Sequence, residues 1–340
     1  MLGREVFRRL PKVELHLHLP GSVRSPTLRA FLEEDHLPSS LADSYTRAAD
    51  GEGLTRYLGR FRAWNAVAWT PERLARVVAE LQADLAADGV VDAEIRLRPP
   101  SEDDGLWDAL MAAAVAAARL EGGPTLRFID YVNRHWSAER AEREARRAAA
   151  WVGRGVVGLD ISGDERRHEA THLVRAAQLA RDAGLSLTVH AGEGAGPESV
   201  WTALRLFAPV RIAHGVRGAE DPRLVAELRE RSVHLEMALT SNVQTGAVAN
   251  VASHPFAALL AEGVSVGLST DCRTLSGTTL SDEYHLAARA LGPSREDLAR
   301  AAEHAASAVF APDAWRRSLL ETVRSGWRGA APVPESVSDG

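Results

Sequence analysis

The stretch TPERLARVVAELQADLAADGVVDAEIRLR, residues 70–98, predicts a helix followed directly by a strand. Thr70 carries the hydroxyl expected of a helix N-cap, Pro71 suits the first helical position, and Gly89 is typical of a helix end. Apolar residues recur with helical period up to this glycine, and the run at 92–98 is typical of a β-strand. The stretch therefore predicts one helix–strand unit of an α/β protein.

The same alternation of strand and helix continues along the chain. Helical patterns begin with Asp-Pro at 221–231 and with a Ser-x-x-Asp box at 294–310. Eight such units over about 260 residues, with no glycine-rich dinucleotide fingerprint after the first strand, favour one closed (β/α)8 TIM barrel over two doubly wound halves. The predicted strands are 13–19, 92–98, 126–132, 156–162, 185–191, 210–215, 234–240 and 264–270.

The barrel is expected to occupy residues 1–328, with an N-terminal helical insertion after the first strand and a disordered tail at 329–340. The segment 20–90 is too long for one crossover, so we interpret it as the insertion. It carries Tyr57, Phe61, Trp64 and Trp69, which would form an apolar lid over the barrel mouth or pack helices against the barrel wall.

Composition and charge exclude several classes of protein. The chain has 340 residues, of which 45% are hydrophobic and 25% charged, which is typical of a soluble globular protein. No run approaches the roughly 20 apolar residues of a membrane span, and the charged N-terminal segment does not resemble a signal peptide, so we expect a cytoplasmic protein. The net charge of −6 argues against a nucleic-acid groove.

A metal site would have to use histidine and carboxylate ligands, because Cys272 is the only cysteine. In a barrel of this kind the carboxyl ends of the strands build the active site, and polar residues elsewhere are expected at the surface. His16 and His18 alternate on the first strand and therefore point to the same side, the barrel interior. His190 and Asp271 lie at the ends of the fifth and eighth predicted strands, and His214 at the end of the sixth.

Each of these polar residues has an ordinary structural explanation when it is taken alone. His190 could be a core histidine with satisfied hydrogen bonds, and Asp271 could cap a helix. Together, three histidines and an aspartate at strand ends predict a cation site with nitrogen and oxygen ligands, which suits Zn²⁺ and tolerates other first-row metals.

Several motifs resemble the adenosine deaminase family in their order along the chain. They are PKVELHLHLPGS (11–22), GLDISGDE (158–165), TVHAGE (188–193), RIAHG (211–215), TSNVQTG (240–246), HPF (254–256) and LSTD (268–271). The resemblance implies a hydrolase that holds one zinc ion per chain and replaces an exocyclic amine with oxygen.

The resemblance also implies roles for individual residues. His16, His18, His190 and Asp271 are similar to the family's metal ligands, and Asp271 is counted among the catalytic residues as well. Glu193 resembles the proton donor to the ring nitrogen, and His214 the residue that orients and deprotonates the attacking water. Gly163 is similar to the backbone contact to a purine nitrogen, and His18 also lies where substrate is bound.

Two positions depart from the family pattern near the expected substrate. Pro20 stands where adenosine-specific members carry an acid that meets the sugar, and Cys272 stands where a second aspartate often contacts the purine. A thiol is a weak hydrogen-bond partner, and losing a good one costs about 1–3 kcal/mol. We therefore predict a deaminase of adenosine or a similar purine nucleoside and leave the substrate open.

The alternatives are other amino-heterocycles, such as adenine, a 5′-modified adenosine, aminodeoxyfutalosine or a secondary-metabolism nucleoside. A further alternative is a catalytically silent homologue that binds a nucleoside or a protein. The expected partner is a small purine nucleoside-like molecule, with no nucleic acid and no membrane, and the oligomeric state stays open.

Overall fold

The structure, a computed structural model, describes residues 3–119 and 121–329. Its eight strands are parallel and pair in chain order, with helices between them, and this confirms the predicted (β/α)8 barrel. The strands are β1 Lys12–His18, β2 Val90–Arg96, β3 Thr125–Asn133, β4 Val156–Ser162, β5 Ser186–Ala191, β6 Arg211–His214, β7 His234–Met237 and β8 Val266–Leu268.

The helices lie outside the barrel and across its mouth. The first half of the chain contains α1 Arg4–Arg9, α2 Ser25–Glu34, α3 Ser40–Ser44, α4 Leu54–Gly59, α5 Arg62–Ala66, α6 Pro71–Ala87, α7 Asp104–Ala117 and α8 Ala138–Ala149. The second half contains α9 Val174–Asp182, α10 Pro197–Phe207, α11 Pro222–Glu230, α12 Leu239–Gln244, α13 Phe256–Ala261, α14 Arg273–Ser276, α15 Leu280–Ala290, α16 Arg295–Ala308 and α17 Asp313–Gly329.

Side-chain caps explain where the predicted helices begin. The Thr70 side chain accepts a hydrogen bond from the Arg73 N–H at the start of α6. Ser294 and Asp297 form the reciprocal capping box of α16. The helix that opens with Asp-Pro is α11, where Asp221 accepts from the backbone at the first turn.

The barrel closes through a predicted metal ligand. β8 ends at Leu268, and the chain then pairs with β1 at Asp271, whose N–H donates to the His16 carbonyl at 2.8 Å. Its carbonyl in turn accepts from the His18 N–H at 2.6 Å. The closing hydrogen bonds therefore hold Asp271 beside both histidines of β1.

The seventh strand is shorter than the sequence predicts. Residues 234–240 were expected to be extended, but β7 stops at Met237 and α12 begins at Leu239. The reason is pairing: Met237 lies opposite Leu268, the last residue of the three-residue β8, so no neighbour continues beyond it.

The insertion after β1 is smaller than predicted, because α6 packs against β2 and α7 as the ordinary crossover helix. The added segment is therefore the stretch that contains α2 to α5. At the other end of the chain, α17 includes Gly329, the first residue of the predicted tail. Residues 330–340 of that tail lie outside the described residues.

Charged side chains fill much of the barrel interior, which corrects the expectation that polar residues away from the strand ends lie at the surface. Arg96 is fully buried and contacts Asp160 at 2.9 Å and Glu236 at 2.5 Å. Arg211 contacts Glu94 at 2.6 Å and the same Glu236 at 2.7 Å. These residues lie on inward-facing strand positions, where each charge has a partner of opposite sign.

None of the helices among residues 3–119 and 121–329 is long and apolar enough to span a membrane.

Candidate active site

A cavity of about 450 Å³ opens at the carboxyl ends of the strands. His18, His190 and Asp271 line its floor together with Glu193 and His214. The structure thus brings the residues predicted from four separated sequence motifs to one place, because the carboxyl ends of parallel strands meet at one rim of the barrel.

The four predicted metal ligands aim their donor atoms at a common region. Nε2 of His18 lies 3.2 Å from Nε2 of His16 and 3.3 Å from Nε2 of His190. Oδ1 of Asp271 lies 3.6 Å from the Nε2 atoms of both His16 and His18. Such separations are those of ligands that share one ion at about 2.0–2.2 Å.

The protonation of these groups shows that they fit a cation. Burial lowers the pKa of His16 and of His18 well below the usual value, so both rings are neutral. Nδ1 of His190 lies 2.9 Å from an oxygen of Asp160 and donates to it, which leaves a lone pair on Nε2. Neutral imidazole nitrogens that converge beside a carboxylate form a donor set that Zn²⁺ prefers.

A second layer of charges orients two of these rings. Asp160 accepts from His190, and a Glu236 oxygen lies 3.5 Å from Nδ1 of His16. Both carboxylates contact Arg96, and His190 together with Arg96 lowers the pKa of Asp160, so that it stays ionised. Such partners fix the tautomer and orientation of a ligating histidine. In the sequence, Asp160 and Glu236 are recognisable only as charged residues at inward positions of otherwise apolar strands.

We expect Asp160→Asn to weaken zinc binding by about 10–100-fold, because the carboxylate that orients His190 is lost. Competition with a chelator of known affinity measures this change. Asp92→Asn is the matched control, since Asp92 is equally buried but contacts Arg127 near the start of β2, away from the cavity. Wild-type zinc affinity in Asp160→Asn would contradict the prediction.

Glu193 lies just beyond β5, with an oxygen 3.6 Å from Nε2 of His214. Glu165 anchors the loop that carries Glu193. Glu165 is the last residue of the motif GLDISGDE, and the sequence alone predicted no role for it. Glu165 accepts hydrogen bonds from the N–H groups of Glu193 at 2.7 Å, Gly194 at 2.6 Å and Ala195 at 2.9 Å. This carboxylate therefore fixes the position of the Glu193 backbone.

Two of the site residues have strained backbones. His214 has φ of 65° and Asp271 has φ of 60°, in the left-handed region that residues with a Cβ avoid. Hydrogen bonds hold Asp271 there, including one from the Ser241 hydroxyl to Oδ2 at 2.6 Å. Strain of this kind is concentrated at functional sites.

Three of the four predicted substrate-contact residues line the cavity, and the fourth does not. Gly163 and Pro20 line the cavity, as does His18. Gly163 has φ of 102°, and a Cβ there would lie 2.3 Å from the Asn133 side chain, so only glycine fits. Cys272 is fully buried behind the wall, with Sγ 3.5 Å from Oδ1 of Asp271, and its side chain is not among the lining atoms.

Three of the four aromatic residues singled out in the insertion line the cavity. They are Tyr57, Phe61 and Trp64, which therefore cover the barrel mouth. Trp69 belongs instead to the packing of the insertion, with its ring centroid 3.9 Å from that of Trp64. Trp69 therefore packs within the insertion and is not among the residues that line the cavity.

The barrel and the ligand cluster define the protein as a metal-dependent hydrolase of the (β/α)8 class. The sequence profile described as "Adenosine deaminase" matches residues 11–326, and the chain belongs to the adenosine deaminase family. It is accordingly a zinc-dependent hydrolytic deaminase that acts on a C–N bond of an adenosine-like substrate.

Similarities to individual proteins support this family assignment. The chain is 36% identical to an adenosine deaminase of Mycobacterium tuberculosis over 94% of both chains. The structure of the N6-methyl-AMP deaminase of Arabidopsis thaliana is similar with a TM-score of 0.83 and 28% identity, covering 95% of this chain and 98% of that one.

Two further solved structures are similar at 26% identity, each with a TM-score of 0.84. The adenine deaminase of Arthrobacter aurescens is matched over 94% of this chain and 100% of that one. An amidohydrolase of Burkholderia ambifaria with bound zinc is matched over 96% of this chain and 95% of that one.

Proposed function

We propose that the protein deaminates adenosine or a closely similar purine nucleoside, with His16, His18, His190 and Asp271 as the zinc ligands. The observation that carries this proposal is the convergence of four donor atoms at 3.2–3.6 Å beside the buried carboxyl of Glu193. When bound, zinc supplies Lewis acidity, which lowers the pKa of a coordinated water to about 7.

Glu193 is proposed as the proton donor to the purine ring nitrogen. An amidine carbon is a poor electrophile until that nitrogen is protonated, so an acid must face the ring. Burial, followed by the charges of Asp271 and Glu165, raises the pKa of Glu193 well above its usual value, which keeps the carboxyl protonated. A C–O bond then forms from water, the C–N bond breaks, and the amine leaves as ammonia.

His214, at the end of β6, is proposed to orient the attacking water from the side facing Glu193. Gly163 is proposed to offer its backbone to a purine nitrogen, and Pro20 to present an apolar surface to the sugar. Cys272 acts on substrate only through Asp271 or the cavity wall, since its side chain is buried behind both.

A second candidate is an adenosine 5′-monophosphate or an N6-substituted form of it. Arg167, His168 and His135 lie at the cavity mouth and are exposed, and the two histidine rings are 6.2 Å apart. Cationic and hydrogen-bond-donating groups at a mouth suit a phosphate. The similarity to an N6-methyl-AMP deaminase also favours this candidate.

The test is a substrate panel with ammonia release as the readout and zinc content measured on the same sample. The panel contains adenine, adenosine, deoxyadenosine, 5′-deoxyadenosine, aminodeoxyfutalosine, AMP and N6-methyl-AMP. We expect turnover of at least one nucleoside, loss of turnover on chelation and recovery with added zinc. A zinc-loaded protein inactive on the whole panel would favour a silent binding homologue, and an active metal-free sample would overturn the proposal.

Localisation, partners and domain organisation are proposed as follows. We propose a cytoplasmic protein without a nucleic-acid partner, which the net charge of −6 supports. We also propose that the barrel and its insertion, up to residue 328, act as a single domain, because the insertion and the strand ends line the same cavity.

A further inference from the structure

A line of three hydrogen bonds leads from the backbone of α13 to His214. The Phe256 N–H donates to Nδ1 of His254 at 3.2 Å. Nε2 of His254 lies 3.1 Å from Oδ1 of Asn242, and Nδ2 of Asn242 lies 3.0 Å from Nδ1 of His214. Asn242 and His254 are buried and belong to the motifs TSNVQTG and HPF, which the proposed chemistry leaves without a role.

The direction of each hydrogen bond follows from the backbone N–H at which the line begins. A backbone N–H can only donate, so Nδ1 of His254 accepts and carries no proton. Burial lowers the pKa of His254 to about 3, so the ring is neutral and its proton is on Nε2. This Nε2–H donates to Oδ1 of Asn242, which fixes the orientation of the amide. Nδ2 of Asn242 therefore donates to His214.

The last hydrogen bond determines the tautomer of His214. Because Nδ1 accepts from Asn242, the proton of the neutral ring is on Nε2. An imidazolium would turn Nδ1–H against the amide N–H, so Asn242 opposes that form by geometry. Nε2 is the atom that faces Glu193 at 3.6 Å, on the cavity side. A protonated Nε2 donates to an oxygen and has no lone pair with which to take a proton.

We propose that Asn242 and His254 are positioning residues that hold His214 as a hydrogen-bond donor to the reacting oxygen. This inference rests on the proposed deaminase function and corrects one role that the family resemblance implies, because a base at Nε2 would need the opposite tautomer. His214 keeps its proton throughout. Water loses two protons in the reaction. The first passes to Glu193, which has given its own proton to the ring nitrogen, and the second, from the new C–OH group, passes to the leaving amine.

The decisive variant is Asn242→Asp in the zinc-loaded protein. Aspartate has nearly the same shape and still accepts from His254, but it can only accept from His214, so it reverses one hydrogen bond. We expect ¹⁵N NMR to show His214 with its proton on Nε2 in the wild type and on Nδ1 in the variant. His214→Asn identifies the signal among the 12 histidines. We also expect kcat to fall by about 10²–10³-fold, as for the loss of one preorganised donor, with little change in KM.

The matched control is Gln244→Glu, the same chemical change two residues further along α12. Gln244 is also fully buried but donates to the carbonyls of Ala48 and Ser276. We expect this variant to lower thermal stability without moving the His214 signal. A Gln244→Glu variant in which the His214 proton also moves would show that buried charge, rather than the direction of one hydrogen bond, sets the tautomer, and would overturn the inference.

A second pair of variants tests the inference if Asn242→Asp does not fold. Glutamine at position 254 can still donate to Oδ1 of Asn242, whereas leucine cannot, so we expect His254→Gln to retain the Nε2–H signal and more of kcat than His254→Leu. Equal kcat and equal spectra for the two variants would contradict the inference. A wild-type His214 with its proton on Nδ1 overturns it outright, even if the enzyme is active. Absence of turnover on every adenine compound would instead refute the proposed function, since the NMR signal does not depend on turnover.

Discussion

Glu193→Gln will lower kcat by about 10²–10⁴-fold, the range for losing a general acid. Glutamine preserves the shape and the hydrogen-bonding capacity of the side chain but has no proton to give to the substrate ring. Steady-state kinetics on the best substrate of the panel measures the effect. Zinc content should stay at the wild-type level, because Glu193 is not among the proposed ligands.

The control is Glu198→Gln, the same change on α10, where the side chain is 84% exposed. This variant should keep the wild-type rate. A pH profile gives an independent check: the raised pKa of Glu193 means that its acid form prevails at neutral pH, so the rate should fall as the pH rises through that pKa. A Glu193→Gln variant that retains its kcat would remove Glu193 from the mechanism.

Arg96→Leu will lower the free energy of unfolding by about 3–5 kcal/mol, the cost of leaving a buried charge without its partner. Arg96 is fully buried between Asp160 and Glu236 at the centre of the barrel. Leucine fills part of the space but removes the guanidinium that pairs with Asp160, which then keeps only its contact with His190 among the described side chains. Urea unfolding at saturating zinc for both proteins measures the change, so that ligand binding affects both equally.

Arg146→Leu provides the comparison for an exposed ion pair. Arg146 lies 3.0 Å from Glu142 on the outer face of α8, with 59% of its side chain exposed. Its loss should cost less than about 0.5 kcal/mol. If Arg96→Leu does not fold, Arg96→Lys tests the same point, because lysine keeps the charge but cannot contact both carboxylates as a fork. Arg96→Leu unfolding at the wild-type urea midpoint would contradict the prediction.

The strands and most helix starts were predictable because they depend on neighbours in the chain. An apolar run favours a strand wherever it lies, and Thr70 or Ser294 caps a helix through groups within one turn. The ends of strands were less predictable. β7 stops at Met237 because its neighbour β8 stops pairing there, and β8 lies about thirty residues further along the chain.

The predicted ligand set was accessible because parallel strands bring their carboxyl ends to one rim, so position along each strand was sufficient information. The residues behind that set were not accessible in this way. Whether Glu236 meets His16, or Asn242 meets His214, depends on which strands and loops become neighbours on closure. Cys272 shows the same limit, because the sequence places it beside a ligand without saying that it faces away from the cavity.

The sequence by itself determined the periodic features of this protein: eight strand–helix units, a histidine pair on one strand face, and polar residues at strand ends. The tertiary structure decided which groups far apart in the chain come into contact. It placed paired charges inside the barrel, brought aromatic residues of the insertion over the mouth and ordered the hydrogen bonds that end at His214. The physical reason is that local periodicity depends on bonded neighbours, whereas burial, pairing and tautomer depend on what the closed barrel brings into contact.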